Sequence, residues 1–208
     1  MREFNALSAY PPPSQPRIVS RTIHDVQFDP STCTATQQRR IVVSRTIQNR
    51  ITASYRGKHF YDGDRADGYG GYVNDGRWGP VADAMIAEYK PDSVLQIGCD
   101  KGFLLAEFKL RGVRVFGTEV SEYAFSEANL SVRPNIRVAQ RFVPIPYDRK
   151  FALVIALGAV YTLALNDAMA LLEEINRVAR RAFITLGAYD TPEDYWLLRD
   201  WSLLGTTI

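Results

Sequence analysis

The chain has 208 residues, enough for one domain with an appendage and a single buried core. Apolar residues make up 46% of the sequence and charged residues 23%, a balance typical of a globular protein and unlike a disordered one. With a net charge of +2, two cysteines and two histidines, the composition argues against a disulfide scaffold and a structural zinc site.

Residues 1–58 carry an excess of positive charge. They hold nine Arg or Lys residues against Glu3, Asp25 and Asp29, whereas the rest of the chain is net negative. The start of the chain is rich in proline and has no apolar stretch of the signal-peptide type, and no run of about 18 apolar residues occurs anywhere. We therefore expect a cytoplasmic protein without a membrane span, in which residues 1–58 form an N-terminal arm.

A glycine- and tyrosine-rich segment, residues 59–78, follows the arm. Its five glycines are interleaved with three tyrosines and with Arg65 and Arg77, and neither a helical nor a strand period persists. Asp62-Gly63 and Asp75-Gly76 would suit turns of a surface loop. A merely solvated loop gains nothing from so many aromatic side chains, so we predict that this lid segment covers a ligand site.

The most informative stretch is a strand followed by a glycine turn. An apolar run at residues 94–97 predicts a buried strand, and Gly98 and Gly102 bracket the turn that leads into a helix. Glycines let a ligand approach the backbone, and free N–H groups at a helix start suit polar or anionic groups. The next strand ends in Glu119, about twenty positions after Gly98, where an acid would bind ribose hydroxyls. These residues predict a nucleotide-like ligand.

Helical and strand patterns alternate through the remainder of the chain. This alternation predicts an α/β fold with a doubly wound, mainly parallel sheet over residues 79–208. The helices are expected at residues 79–90, 103–111, 122–129 with Ser121 as the cap, from a cap at Asn166 to about Val178, and from Thr191, and the strands at residues 94–97, 113–119, 135–139, 151–158 and 181–187.

From about Trp78 to about Asp190 the sequence resembles the class I S-adenosylmethionine-dependent methyltransferases. Their first motif, acidic-x-Gly-x-Gly-x-Gly, aligns with residues 96–102, and the acid that ends their second strand matches Glu119. The resemblance implies a Rossmann-like fold, S-adenosylmethionine as the methyl donor and a methyltransferase activity. It places the donor against Gln96, Gly98, Cys99, Gly102, Phe103, Glu119, Val120 and Gly158, with Gln140 at the adenine edge and Tyr69 and Arg77 contributed by the lid segment.

The sequence departs from the family motif at two positions. Gln96 replaces the acid, so it can hydrogen-bond the donor's amino group or hold the turn but cannot form an ion pair. Asp100 replaces the middle glycine, and a carboxylate there would repel the donor's own carboxylate unless a cation screens it. Lys101 and Arg77 are the expected cations. A nicotinamide dehydrogenase is the alternative, but the second glycine of its Gly-x-Gly-x-x-Gly motif is missing.

Methyl transfer is an in-line displacement, so the protein mainly aligns the acceptor and, where needed, takes its proton. Tyr161 follows the fourth strand and is the candidate catalytic residue, although a tyrosine of the core or rim fits the sequence equally well. Neither His24 nor His59 lies at a strand end, so the sequence offers no obvious histidine base.

The chain ends without the antiparallel strand pair with which this family usually closes its sheet. The fifth strand would then be an exposed edge, which invites pairing or needs a cover. An apolar final helix, containing Trp196 and Trp201, adds surface that is usually buried. We expect either a homodimer through this helix and the edge strand, or the N-terminal arm over the edge.

Three functions remain open on the sequence. The first is methylation of a small polar metabolite or sugar-type acceptor, favoured by the lid segment. A catalytically impaired, methyltransferase-like binding or scaffold protein is favoured by Gln96, Asp100 and the short C-terminus. A nucleic-acid methyltransferase would use the basic arm, but no motif combining stacking and basic residues occurs, so nucleic acid is not an expected partner.

Overall fold

The computed structural model describes residues 46–186 and, ahead of them, the backbone of two short antiparallel strands, β1 (Thr22–Ile23) and β2 (Val26–Gln27). Within residues 46–186 the helices are α1 (Ile47–Ser54), α2 (Lys58–Asp62), α3 (Trp78–Tyr89), α4 (Phe103–Leu110), α5 (Glu122–Ser126) and α6 (Leu165–Val178), and the strands are β3 (Ser93–Ile97), β4 (Arg114–Glu119), β5 (Ile136–Val138), β6 (Leu153–Ala156) and β7 (Ala182–Ile184).

Strands β3 to β7 form one parallel sheet in the order β5-β4-β3-β6-β7. The chain winds outward from β3 through β4 to β5 and then returns to the other side of β3 as β6. The carboxyl ends of β3 and β6 therefore border the crevice where doubly wound sheets bind ligands. The structure confirms the predicted α/β fold with its Rossmann-like parallel sheet.

Helices cover both faces of the sheet. Val94 of β3 belongs to a buried cluster that includes side chains of α3 and α4, such as Met85 and Phe108, whereas Leu95 belongs to a second cluster with Leu171 of α6. Neighbouring side chains of a strand point to opposite faces, so in a strand covered on both faces every side chain is shielded from solvent. This explains why every residue of β3 is buried.

Helix α6 differs from its prediction. It begins at Leu165, and no side chain caps its first turn, so the predicted cap at Asn166 is wrong. Met169 is 52% exposed, whereas Ala168 and Leu171 are buried. The small Ala168 rather than the larger Met169 thus lies against the core. The predicted cap of α5 is confirmed, because the Ser121 hydroxyl accepts a hydrogen bond from the Ala124 N–H.

Strand β7 lies at one edge of the sheet in the part of the chain that the structure describes. The predicted final helix, with Trp196 and Trp201, falls in residues 187–208, outside the described residues. Dimerisation through that helix therefore stays a prediction. None of the helices between residues 46 and 186 has the length and apolar character needed to cross a membrane.

Candidate functional site

The glycine turn, residues 98–102, lies at the carboxyl end of β3 and has three residues with left-handed backbone. The φ angles are 65° at Gly98, 52° at Asp100 and 71° at Gly102. The Gly98 N–H donates to the Thr118 carbonyl of β4 at 2.9 Å, which fixes the turn on the neighbouring strand. A Cβ at residue 102 would lie 2.9 Å from Val132 Cγ2, so glycine is required there for space as well as for conformation.

Glu119 closes this turn from the end of β4. Its carboxylate is only 1% exposed and accepts hydrogen bonds from the backbone N–H groups of Asp100 at 2.7 Å, Val120 at 2.9 Å and Ser121 at 2.8 Å. Burial, followed by the charge of Asp100, raises the pKa of Glu119 to about 7. A carboxylate has about four acceptor positions, so Oε2, which accepts a single bond, keeps one for a ligand hydroxyl.

Three tyrosines of the lid segment, Tyr61, Tyr69 and Tyr72, bind the side chain of Asp100. The Tyr61 hydroxyl donates to Oδ1 at 2.8 Å, and the Tyr69 hydroxyl lies 3.5 Å from Oδ2. Burial, with the charge of Asp100, raises the pKa of Tyr61 and Tyr69, so their hydroxyls stay protonated and can donate. Burial also raises the pKa of Asp100, while the Tyr61 bond and the charge of Arg56 offset part of that rise. The lid segment thus contacts the glycine turn directly.

Lys101 does not screen Asp100 as the sequence suggested. Its Nζ lies 2.7 Å from Asp62 Oδ2 and also donates to the Tyr72 carbonyl at 3.0 Å. Burial opposes ionisation of Asp62, but hydrogen bonds from Lys101 and Tyr123 outweigh it and lower the pKa of Asp62. Because Asp62 belongs to α2 and Tyr72 to the lid segment beyond it, Lys101 ties the lid segment to the glycine turn.

We expect Lys101→Met to lower the free energy of unfolding by about 2 kcal/mol, because it leaves a partly buried carboxylate without its cation. The Lys101 and Asp62 side chains are 8% and 24% exposed. Urea unfolding measures the change. Arg114→Met is the matched control, since its ion pair with Asp92 is 58% and 68% exposed and its loss should leave stability nearly unchanged. Equal effects of the two substitutions would contradict the anchoring role.

Arg77 was expected to pair either with Asp100 or with the donor's carboxylate, and its contact with the donor stays a prediction. Arg77 forms an ion pair with Asp75, two residues earlier, through its Nε at 2.7 Å. Asp75 is close to Arg77 in the sequence, so the two side chains meet without any long-range packing. This ion pair holds the guanidinium at the start of α3.

Arg56 is the cation whose charge acts on Asp100, and it comes from the segment predicted to be the arm. The backbone of Arg56 is left-handed, with φ 48°, and its carbonyl accepts a bond from the Ser121 hydroxyl at 2.6 Å. Its Nη2 donates to the Thr162 hydroxyl at 3.1 Å, and its guanidinium lies 5.5 Å from the centre of the Phe142 ring. Among residues 46–186, no carboxylate forms an ion pair with Arg56. Most of its donors are therefore available to a ligand.

An aromatic cluster continues from the lid segment to α4. The Tyr72 ring stacks on Phe103 with centroids 5.2 Å apart, and the Tyr69 ring lies 4.7 Å from that of Tyr72. Tyr69 also contacts Phe60 of α2 with centroids 5.1 Å apart. The structure thus brings together the predicted site residues Tyr69 and Phe103.

Tyr161 lies in the short 3₁₀ turn Val160–Thr162 after β6, with its hydroxyl close to Gly158. Burial, together with the charge of Asp100, raises the pKa of Tyr161, whereas Arg56 acts in the opposite sense. Tyr161 therefore shares one electrostatic environment with the glycine turn and remains a neutral phenol at ordinary pH.

The remaining predicted site residues surround the same sheet edge. Gln140 is exposed and follows Ala139, whose N–H donates to the Glu119 carbonyl at 2.9 Å, and Val120 is half-buried beside it. Burial raises the pKa of the Cys99 thiol, so this residue is a small packing residue and not a nucleophile. The Gln96 side chain is 5% exposed and its Oε1 has no hydrogen-bond partner among the described residues.

Sequence reasoning missed Arg56, Tyr61, Phe142 and Thr162. Tyr61 was within reach of prediction, because it belongs to the tyrosines of the lid segment. Arg56 and Phe142 depend on long-range packing, which no local pattern reveals. Between residues 46 and 186, no three or more potential metal-ligating side chains come together.

Comparison with known families identifies residues 95–182 as a match to the family model described as a methyltransferase domain. Comparison with curated proteins gives no match.

Three solved structures are similar to parts of the chain. PKMT2 from Rickettsia typhi, in complex with AdoHcy, is 19% identical, with 44% of this chain and 20% of that chain covered and a TM-score of 0.39. An S-adenosylmethionine-dependent methyltransferase from Clostridium acetobutylicum ATCC 824 is 21% identical, with coverages of 59% and 51% and a TM-score of 0.45. The N-terminal domain of EvdMO1, studied in the presence of SAH and D-fucose, is 18% identical, with coverages of 70% and 68% and a TM-score of 0.47. The chain thus spans a fifth of PKMT2 and about half of the Clostridium protein.

Proposed function

We propose that the chain, whose residues 95–182 match a methyltransferase domain, is a class I S-adenosylmethionine-dependent methyltransferase that transfers a methyl group to a small polar or sugar-type acceptor. One observation carries the proposal. The glycine turn, held on Glu119 at the carboxyl edge of the sheet, is covered by the tyrosines of the lid segment. A small acceptor could be enclosed between these elements, and enclosure excludes the water that would compete with it.

The residues of the site fit S-adenosylmethionine. Gly98 and Gly102 keep the turn free of side chains, and Glu119 Oε2 has an acceptor position for a ribose hydroxyl. The buried Gln96 Oε1 is an acceptor without a partner among the described residues. Arg56 supplies a half-buried guanidinium for the donor's carboxylate. When bound, S-adenosylmethionine supplies an electrophilic methyl group on a sulfonium.

The chain's own residues then align the acceptor and keep the site dry. Tyr161, kept neutral by burial, donates a hydrogen bond to the acceptor and helps to orient it, since a phenol with a raised pKa is a poor base. The Tyr72 ring stacks on Phe103 with the Tyr69 ring beside it, and closure of these rings over a bound donor would exclude water. Gln140, at the exposed end of β5, contacts the adenine edge.

Binding of S-adenosylmethionine measured by calorimetry tests the proposal, and a pair of arginine variants locates the donor. We expect Arg56→Gln to weaken donor binding by about 1.5 to 3 kcal/mol, the range for a hydrogen bond to a charged group. Arg77→Gln should weaken it less, because Arg77 already holds Asp75. A larger effect at Arg77 would assign the carboxylate contact to the lid segment.

A binding or scaffold role without catalysis is the second candidate. In the structure the Tyr61 hydroxyl donates to Asp100, and three backbone N–H groups donate to Glu119, so both carboxylates already have hydrogen-bond partners within the protein. Absence of calorimetric binding for both S-adenosylmethionine and S-adenosylhomocysteine would favour this role over methyl transfer.

A further inference from the structure

Two departures from the family motif lie in the glycine turn and its strand. Gln96 is neutral where the motif has an acid, and Asp100 is an acid where the motif has glycine. Resting on the proposed function, we infer that Asp100 supplies the carboxylate that Gln96 lacks and binds the α-ammonium group of the donor. The carboxylate thus stands four residues later in this sequence than in the family motif.

The backbone supports a role for the Asp100 side chain. Its φ of 52° lies in the left-handed region, which Asp enters more readily than most residues with a Cβ, although glycine does so at still lower cost. The Tyr61 hydroxyl, at 2.8 Å from Oδ1, additionally fixes the direction of the carboxylate.

The charges around Asp100 call for a cation. Lys101 is neutralised by Asp62, and Arg77 forms its ion pair with Asp75. Glu119 accepts the Asp100 N–H, so a second carboxylate lies next to the first. The charge of Arg56 acts on Asp100, and the side-chain hydrogen bond of Arg56 goes to Thr162. The site therefore has more negative than positive groups.

The amino-acid end of the donor has the complementary charges. Its α-carboxylate suits the Arg56 guanidinium, and its α-ammonium suits Asp100, whose Oδ2 lies at the long distance of 3.5 Å from the Tyr69 hydroxyl. The opposite expectation is that Asp100 repels the donor carboxylate, so that glycine at residue 100 would improve binding. The two expectations differ in sign.

Calorimetry distinguishes these two expectations for Asp100. It compares S-adenosylhomocysteine with an analogue that lacks the α-amino group. The parent protein should bind the analogue at least about tenfold more weakly, the order expected for one lost charge-assisted hydrogen bond. Asp100→Asn, which keeps the size of the side chain, should bind S-adenosylhomocysteine about tenfold more weakly than the parent and no longer distinguish the two ligands. Circular dichroism of each variant confirms that it is folded.

A restored motif provides the second test. Asp100→Gly should lose affinity, and adding Gln96→Asp to it should recover most of the loss. The inference is overturned if Asp100→Asn or Asp100→Gly binds S-adenosylhomocysteine as tightly as the parent, if the penalty for the missing amino group persists in Asp100→Asn, or if Gln96→Asp recovers nothing. Failure of the parent to bind either S-adenosylmethionine or S-adenosylhomocysteine would instead overturn the proposed function, and this inference with it.

Discussion

Replacing Gly68 by alanine is expected to detach the lid segment from the glycine turn and to lower donor affinity by about a hundredfold, or about 3 kcal/mol. A Cβ at residue 68 would lie 1.9 Å from the Phe60 carbonyl oxygen and 2.8 Å from the Phe60 Cα. These are backbone atoms that cannot rotate away. The next residue, Tyr69, donates its N–H to the same Phe60 carbonyl at 2.8 Å, so the added methyl group would also break that hydrogen bond.

The structural change in Gly68→Ala should be confined to the lid segment. Gly71 donates to the Tyr61 carbonyl at 3.0 Å and Tyr72 to Asp62 Oδ1 at 3.1 Å, so one displaced residue moves the whole run that holds the tyrosines. Hydrogen exchange should accelerate over residues 60–72 while β3 stays protected. Gly57→Ala is the control, because a Cβ there meets nothing within 4 Å. Unchanged calorimetric affinity in Gly68→Ala would show that the lid segment does not contact the donor.

The sheet was predictable because its strands are encoded locally. Val94, Leu95 and Ile97 are typical of a strand covered on both faces in a parallel sheet, and the structure buries all five residues of β3, the polar Ser93 and Gln96 included. Gly98 and Gly102 were predictable for a similar reason, since positive φ at both positions leaves few residue types. The end of α6 near Val178 also follows from its apolar periodicity.

The charge arrangement of the site was not predictable from local patterns. Lys101 is adjacent in sequence to Asp100, yet its partner Asp62 lies 39 residues away. Arg56 and Thr162 are separated by 106 positions. Ion pairs follow no periodic sequence pattern, so the sequence does not reveal which of several arginines lies near Asp100. The lid segment also contains the short helix α2, which its glycines and turn-forming residues concealed.

We expect the protein to lose about 3 kcal/mol of stability between pH 5 and pH 8 because of Glu119. Burial, with the charge of Asp100, raises its pKa in the folded protein to about 7 from an ordinary value of 4.5. Between these values the folded protein binds more protons than the unfolded chain. The contribution is therefore fully present below the unfolded pKa and is lost as the pH rises through about 7. The raised pKa of Asp100 acts in the same direction.

The pH range of the measurement matters because other carboxylates change the stability in the opposite direction at lower pH. Hydrogen bonds from Arg77 lower the pKa of Asp75, and those from Arg177 lower that of Glu174, so these groups add stability above their unfolded pKa values and lose it only as the pH falls below them. Their titration is complete before pH 6. A series of urea unfolding curves from pH 6 to pH 8 thus isolates the buried pair, and about 1 kcal/mol of the expected loss falls in this range.

Glu119→Gln is the variant that assigns the effect. An amide has one acceptor oxygen, and its NH₂ group would face backbone donors, so at least one of the N–H groups of Asp100, Val120 and Ser121 would be left unpaired. The variant should be less stable than the parent at pH 6 and should show little further loss up to pH 8. A decline with pH that is as steep in Glu119→Gln as in the parent would place the titrating group elsewhere. A parent curve that is flat across this range would mean that the three N–H donors outweigh burial and keep Glu119 ionised, leaving its carboxylate charged before any donor arrives.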